Sequence, residues 1–332
     1  MSDAPLSAPG AAIGRSGRVG LIVRGLAAKA VPVATVVAAL IALWYLACIP
    51  MNARQSLLEA ERAGIAVTPA TAAERRESGG LSLALANPGE AAARAFAQER
   101  PRLPAPHQVV AELWDTTVGQ KITSRRSLVF HAGITLGPTL LGFAFGSALG
   151  ILLAIGIVHS RVMDLSVMPW AIASQTIPIL AIAPMIIVVL NSVGVQGLVP
   201  KAIISAYLSF FPVTVGMVKG LRAPAPSDLD LMRTWNASGL RTLVSLRLPA
   251  SLPYLFASLK IAVAAALVGA IIGELPTGAV RGLGARLLAG SYYGQTVQIW
   301  SALFGAAIVA AALVAAIALL ERVTLRRMGL AR

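Results

Sequence analysis

The chain is poor in the residues on which many enzymes and metal proteins depend. Only one of its 332 residues is cysteine and only three are histidine. The single Cys48 excludes an internal disulfide and a cysteine metal cluster. His107, His131 and His159 lie far apart without ligand-like spacing, so we predict no metal site. A Gly-rich phosphate loop is also lacking, so we expect no catalytic residue and no bound cofactor on this chain.

Charge is scarce as well, and long apolar stretches take its place. Charged residues make up 13% of the chain, hydrophobic residues 57%, and the mean hydropathy is +0.76, which excludes an ordinary soluble protein. The uncharged runs long enough to cross a bilayer are 30–53, 132–158, 165–200, 202–218 and 287–320. A sixth run, 255–272, is interrupted only by Lys260, for which reaching the interface is the only expected role. We therefore predict an all-α polytopic membrane protein with six transmembrane helices.

The basic residues predict how the chain is oriented. The net charge of +14 is dispersed and lacks an aromatic-rich platform, so nucleic acid is not expected as a partner. Basic residues cluster before the first run, in 219–253 and at the C-terminus, which predicts a bacterial inner-membrane protein with both termini cytoplasmic. The predicted organisation is a cytoplasmic tail (1–29), a first transmembrane helix (30–50), a periplasmic insertion (51–127), a core with five transmembrane helices (128–320) that includes a cytoplasmic loop (219–253), and a second tail (321–332).

The insertion 51–127 carries signals for short amphipathic helices. We expect helices at about 52–64, 87–100 and 107–117, with a flexible loop at 68–80. Asn87 is the expected cap of the second helix, and Pro88 its first residue.

A polar segment beginning at Ser227 separates two of the apolar runs. Asp228 and Asp230 stand where a first helical turn favours anions, apolar residues follow at roughly helical spacing, and Leu248-Pro249 predicts a stop. Such a helix can dock a soluble partner. The alternatives are a helix lying on lipid and a structural re-entry.

This segment resembles the EAA loop of ABC-importer inner-membrane permeases. Asp230, Leu231 and Met232 stand at the EAA positions, Asn236 at the glycine, and Leu246, Leu248 and Pro249 at the ending. Asparagine tolerates a left-handed backbone better than other non-glycine residues, so Asn236 can make the same turn. Arg233, Ala237 and Ser238 complete the predicted ATPase-coupling loop.

The resemblance continues over about 103–320 and is closest to the nitrate/sulfonate/taurine branch of these permeases. It rests on Ile177-Pro178, Ala183-Pro184, Phe210-Phe211-Pro212, Gly273-Glu274 and Gly282-Leu283-Gly284. It implies a permease subunit paired with a second one, as a homodimer. Two separate ATPases would bind ATP and Mg, and a periplasmic or lipid-anchored binding protein would deliver a small polar solute. Nitrate, a sulfonate such as taurine and a pyrimidine-type thiamine precursor all remain open. The insertion either contacts the binding protein or, at 52–87, is a solvated spacer.

Five residues are candidates for the pathway. Pro178 and Pro184 interrupt an apolar run, which is tolerated only where protein or water satisfies the freed backbone. Gln175 and Thr176 are polar at the same depth and either line the pathway or join helices. Glu274 is expected at the outer mouth, either in a pathway role or paired with Arg281 or Arg286.

A rival interpretation is an ATP-independent secondary transporter. It would need ionisable groups in mid-membrane, and Glu274 and Lys260 are only marginal candidates. A structural membrane scaffold is a third possibility, but it does not account for the amphipathic segment or the interrupted run.

Overall fold

The structure is a computed structural model that describes residues 15–276 and 280–329, with side chains from residue 30 onward. The ends of the two predicted tails, 1–14 and 330–332, lie outside the described residues. Regular structure in the described part is helical, and its α-helices are α1 Arg15–Arg62, α2 Ala72–Glu77, α3 Gly80–Ala86, α4 Pro88–Ala95, α5 Pro106–Trp114, α6 Leu128–His159, α7 Arg161–Ser174, α8 Ile179–Ser192, α9 Leu198–Leu221, α10 Pro226–Thr234, α11 Gly239–Thr242, α12 Leu248–Glu274, α13 Leu283–Tyr292 and α14 Thr296–Arg327. The chain forms two compact units, 1–106 and 107–332.

The first unit is built on a single long helix. The first transmembrane helix was predicted to end at residue 50 and to be followed by a separate helix, but α1 runs unbroken to Arg62. Pro50 is accommodated within it. The reason is that Ala53, Leu57 and Ala60 recur at helical spacing and are fully buried, so packing favours continuation.

Helices α2–α4 pack back onto the end of α1. Leu83 and Ala91 join the buried face of α1 in one apolar cluster, so 52–87 is folded. The predicted flexible loop likewise contains α2. Asn52 is fully buried and fixes the following chain, because its amide donates to the Ala95 and Leu103 carbonyls at 3.0 and 2.9 Å.

The predicted helix at 87–100 is present but shorter. Pro88 is its first residue, as predicted, and it ends at Ala95. Asn87 occupies the N-cap position without capping. Its side chain instead accepts from the Thr68 amide at 2.8 Å and thereby holds the preceding loop.

The second unit has α6, α9 and α12 at its centre. These helices approach closely because small residues face each other. A Cβ added at Gly142 would lie 2.4 Å from the Ala202 carbonyl oxygen, and one at Gly146 would lie 2.1 Å from Ser209 Oγ. Close contact of this kind replaces the hydrophobic effect as the source of helix association in lipid. Lys260 was expected to reach the interface with no further role, but it forms an ion pair with Glu321 of α14.

The order of these contacts shows that α6 and α9 run parallel. Gly142 faces Ser205, and Gly150, further along α6, faces Val213, further along α9. Helix α12 runs the opposite way, since Gly269 faces Ser205 whereas Ser258, earlier in α12, faces Gly216.

Parallel packing decides how α7 and α8 cross the membrane. Five helical segments of the described part are long and apolar enough to cross a membrane, and one of them is the continuous helical path from α11 through α12. Helices α7 and α8 are each too short, and they reach the required length only as a pair that meets at a bend of 97°. Because α6 and α9 point in the same direction, the chain between them must return across the bilayer once. The bent pair is therefore a broken span, and the predicted number of six spans is reached with one span in two pieces.

Candidate functional site

The segment 226–247, called here the coupling segment, folds into two short helices joined by a tight turn. Pro226 occupies the first turn of α10, where its missing N–H is harmless, and Asp228 lies in the same turn. After α10, Asn236 has φ +48°, the one positive φ outside glycine in the described residues. The Ala237 amide then donates to the Met232 carbonyl at 3.0 Å, which closes a Schellman-type end. The predicted left-handed turn at Asn236 is confirmed.

The second half of the coupling segment leads directly into α12. Ser238 caps α11 by accepting from the Arg241 amide at 3.3 Å, and a π-helical turn over 243–247 follows. Pro249 was predicted to stop a helix, but it lies in the first turn of α12 and the helical path continues through it. A proline is tolerated there because the first amides of a helix have no internal partner.

Two contacts hold the coupling segment on the bundle. Leu243 is buried in the apolar cluster formed by the ends of α6 and α9. The Arg247 guanidinium donates to the Leu221 carbonyl at 2.9 Å. At the same end of the bundle, Arg222 and Asp164 form a 2.9 Å ion pair that joins the end of α9 to α7. The coupling segment thus contacts the ends of α6 and α9 directly, and the end of α9 in turn contacts α7 through Arg222.

The remaining surface of the coupling segment is uncovered. Helix α10 contributes no buried residue. Trp235 and Leu240 are 69% and 71% exposed, and Leu231 and Val244 are also exposed. Asp230 and Arg233 pair with each other at 2.8 Å on the exposed face. Exposed apolar side chains bordered by charges at the end of a membrane bundle are typical of a protein-docking site.

Four of the five predicted pathway residues lie at or near the break between α7 and α8, namely Gln175, Thr176, Pro178 and Pro184. Pro178 is the N-cap of α8, whereas Pro184 lies inside α8 without ending it. The break leaves the Ser174 carbonyl free of its helical partner, and the Tyr207 hydroxyl from α9 donates to it. Protein thus satisfies the freed backbone, as the sequence predicted.

The two polar residues at the break, Gln175 and Thr176, differ in their exposure to solvent. Gln175 is half-buried and donates to Ser174 Oγ at 3.2 Å, while Thr176 is exposed and donates to the Ala173 carbonyl at 2.8 Å. Pro178 is exposed as well. Pro184 borders an apolar cavity of about 230 Å³ with Ile272 and Leu275 of the neighbouring α12 end.

Glu274 is not at an exposed mouth, and this prediction is wrong. Its side chain is 0% exposed. Its carboxylate accepts from the Gly284 amide at 2.8 Å and from Thr135 Oγ1 at 3.0 Å. The expected partners Arg281 and Arg286 are not among these donors. The side chain caps the N-terminus of α13, where unpaired amides and the helix dipole favour a carboxylate.

Two further residues that sequence reasoning missed complete this cap. The Leu283 amide donates to Thr135 Oγ1, and the Gly282 amide to His131 Nδ1, both at 2.9 Å. His131 therefore carries its proton on Nε2, which donates to the Arg125 carbonyl at 2.9 Å. Three successive amides, 282–284, are thus held by α6 and α12. One sequence signal could have predicted this cap. Glu274 ends an apolar run, and Gly282-Leu283-Gly284 follows shortly after it at the start of a helix.

Gly282 is required in this cap for two reasons. Its φ is +122°, a conformation that side chains disfavour, and an added Cβ would lie 2.3 Å from the Glu274 carboxylate.

The pKa of Arg286, which was expected to pair with Glu274, is set by burial and by other charged groups. Burial lowers the pKa of its guanidinium, and the Glu112 carboxylate acts in the opposite direction. Within 15–276 and 280–329, His, Cys, Asp and Glu side chains form no group of three that could hold a metal.

Comparison with known proteins fits this architecture. Residues 146–329, more than half of the chain, match the family described as binding-protein-dependent transport system inner membrane component. A probable ABC transporter permease protein of Haemophilus influenzae is 36% identical over 168 residues, which are 50% of this chain and 66% of that protein. A formylaminopyrimidine transport permease protein of Halalkalibacterium halodurans is 33% identical over 55% of this chain and 68% of its own length. A riboflavin transport system permease protein of Chloroflexus aurantiacus is 29% identical over 68% of this chain and 80% of its own. The chain therefore belongs to the binding-protein-dependent inner-membrane components and is a multi-pass permease subunit of an ABC importer.

Proposed function

We propose that this subunit forms half of a translocation pathway and is driven by a separate ATPase that docks on the coupling segment. The observation that carries the proposal is the uncovered apolar surface of Leu231, Trp235, Leu240 and Val244, held on the bundle by Leu243. Burial against a soluble protein would remove this apolar surface from water. A soluble protein that buries it would move the ends of α6, α7 and α9 through the contacts of Leu243, Arg247 and the Arg222–Asp164 pair.

The assembly we propose has two permease subunits, taken as a homodimer, and two ATPases that supply ATP and Mg. A periplasmic or lipid-anchored binding protein delivers the solute from the other side. Both termini and the coupling segment lie in the cytoplasm in this arrangement, in agreement with the distribution of basic residues. In this assembly the exposed side chains of Thr176 and Pro178 at the break face the second subunit or the pathway. The half-buried Gln175 lies at the edge of the pathway.

The proposed cargo is a small polar solute. Among the expected classes, a pyrimidine-type compound is favoured over nitrate and the sulfonates, because the formylaminopyrimidine permease is 33% identical to this chain. A rigid planar solute with several hydrogen-bonding groups also suits a pathway whose described polar groups near the break are uncharged.

The experiment that tests the proposal separates docking from the internal ion pair. Asp230→Arg or Arg233→Asp alone places like charges together and alters the docking face. The double exchange, Asp230→Arg with Arg233→Asp, restores an internal pair but leaves the face reversed. If an ATPase docks here, co-purification of the ATPase falls in all three variants, while membrane insertion stays intact. Arg326→Glu in the last turn of α14 is the control and should leave co-purification unchanged.

Recovery of ATPase association in the double exchange would show that only the local pair matters and would refute docking on this face. Unchanged association in every variant would do the same.

A further inference from the structure

A cavity of about 610 Å³ opens at the outer end of the second unit, the end at which α6 and α9 begin and α12 ends. Three basic residues line it, namely Arg125, Lys201 and Arg281, so we call it the outer basic cavity. Ile134 and Val280 complete the lining, which holds no acidic residue in the part of the chain that the structure describes. Neither the broken span nor the coupling segment uses these basic side chains.

The backbone of each basic residue is fixed by the buried cap of α13. His131 joins two of them, because its Nε2 donates to the Arg125 carbonyl and its Nδ1 accepts from the amide directly after Arg281, both at 2.9 Å. Lys201 packs closely against Gly273, where an added Cβ would lie 3.2 Å from the Lys201 Cα. The outer basic cavity therefore has a defined shape, although its guanidinium groups are exposed.

The positive charge of the cavity remains when every charged residue at the outer end is counted. The segments that form this end are 107–127, 193–201 and 274–295. They contain six basic and three acidic residues, which leaves a surplus of three positive charges. The acidic residues are Glu112, Asp115 and Glu274.

The acidic residues do not neutralise the two guanidinium groups of the cavity. The Glu112 carboxylate acts on Arg286, which lies outside the lining, and the Glu274 carboxylate acts on Lys201. Within 15–276 and 280–329, Arg125 and Arg281 take part in no ion pair. Both are therefore available to an anionic ligand from outside, and the fork of a guanidinium group matches the two oxygens of a carboxylate.

The position of the cavity favours a partner that approaches from water. Its basic residues come from the starts of α6 and α9 and from the chain just after α12, and these three helices form the centre of the unit. The cavity thus opens over the centre of the outer end, whereas lipids surround the sides of a bundle. The family of this chain is described as binding-protein-dependent, so a protein partner must reach this end in the proposed orientation.

We propose that the outer basic cavity receives aspartate or glutamate carboxylates on the surface of the binding protein, with Arg125 and Arg281 as their main ligands. The inference rests on the proposed function, because it requires the outer end to face the periplasm. Complementary charges at such a contact raise the rate of association and fix the orientation of the partner. The cargo does not need these charges, since Gln175 and Thr176 near the break are uncharged.

The first test uses the full chain alone, purified in an uncharged detergent. Fluorescence anisotropy measures the binding of labelled hexaglutamate, a probe for a carboxylate-bearing surface, and of labelled hexaglutamine. We expect hexaglutamate to bind about tenfold more tightly, equivalent to about 1.4 kcal/mol. Arg125→Gln with Arg281→Gln should remove that preference. Lys121→Gln, which changes an exposed basic residue of the same end outside the lining, should keep it.

The second test uses the complete transporter in nanodiscs and the binding protein that supports its uptake in proteoliposomes. The double variant should lower the association rate of the binding protein about tenfold and weaken its dependence on salt, while Lys121→Gln should not. Co-purification of the ATPase should stay unchanged in every variant. Loss of the ATPase from the unaltered chain would contradict the proposed function, and the hexaglutamate measurement would still decide the present inference.

Four outcomes would overturn the proposal. They are equal binding of the two peptides, an equal loss in Lys121→Gln, displacement of hexaglutamate by dihexanoyl phosphatidylglycerol at lower concentration than by unlabelled peptide, and an unchanged association rate of the binding protein in the double variant. If the double variant does not fold, Arg281→Gln replaces it and should show a smaller loss in both tests. Unchanged peptide preference and association rate in that variant would also contradict the proposal.

Discussion

The carboxylate of Glu274, at the end of α12, accepts a hydrogen bond from the backbone amide of Gly284 at 2.8 Å. Together with Thr135 and His131 it holds the first amides of α13 in a fully buried position. A carboxylate inside a membrane protein is costly unless its charge is matched, and here a helix N-terminus and a hydroxyl match it. Glu274 thus has a structural role at this end of the bundle.

Removing the Glu274 carboxylate should destabilise the protein. Glu274→Ala leaves the buried Gly284 amide without its acceptor, which costs about 1–3 kcal/mol of unfolding free energy, whereas the Thr135 hydroxyl can still donate to the His131 carbonyl at 3.1 Å. Glu274→Gln keeps an acceptor oxygen and should lose less. Chemical denaturation in detergent measures both, with the exposed Glu99→Ala as control. Equal stability of the Ala variant and the control would rule out the cap.

Gly282 should be more sensitive to substitution than another glycine with positive φ. Gly282→Ala adds backbone strain of about 1–2 kcal/mol and a Cβ that overlaps the Glu274 carboxylate. Gly294 has φ +64° with open space around it, so Gly294→Ala adds the strain alone. The midpoint of thermal unfolding should therefore fall further in Gly282→Ala. Equal midpoints would contradict the close packing at the cap.

The turn at Asn236 should accept glycine and reject branched residues. Asn236→Gly suits φ +48° without strain, and we expect unchanged ATPase association. Asn236→Val imposes a left-handed backbone on a β-branched residue, so α10 should change its orientation and association should weaken. Co-purification of the ATPase measures both variants, and full association of Asn236→Val would show that the turn is dispensable.

The broken span should depend on its polar residue for transport rather than for folding. Gln175→Leu removes a half-buried amide whose one described contact is local, so assembly should be retained. Uptake by the complete transporter in proteoliposomes should fall. Tyr207→Phe is the contrasting variant, because it removes the donor to the Ser174 carbonyl and should lower stability by about 1 kcal/mol. Normal uptake by Gln175→Leu would remove Gln175 from the pathway.

The orientation can be tested with single cysteines in a chain in which Cys48 is replaced by alanine. Cysteines at Ser78 and Ser291 should react with an impermeant thiol reagent added to intact spheroplasts. Cysteines at Ser238 and Thr324 should react only after permeabilisation. Even membrane insertion of all four variants, checked by immunoblot, is the control. Labelling of Ser238→Cys from outside would reverse the proposed topology and exclude a cytoplasmic ATPase on the coupling segment.

The sequence alone determined the class of protein, five of the spans and the turn at Asn236. Apolar runs are local properties of the chain, so their length and charge are sufficient to identify spans. The turn at Asn236 was also predictable, because the preference for a left-handed backbone belongs to single residues. Pro178 marked the break between α7 and α8 for the same reason.

Other features were decided only by tertiary contacts. Whether α7 and α8 cross the membrane depends on the parallel packing of α6 and α9, which glycine contacts between distant segments create. The partners of Glu274 come from α6 and from the start of α13, and those of Lys260 from α14. The end of α1 was misplaced because Ala53 and Leu57 bury against α3 and α4. In each case the stabilising contact joins groups that are far apart in the sequence. A pattern of residue types along the chain does not show which distant groups lie close together in space.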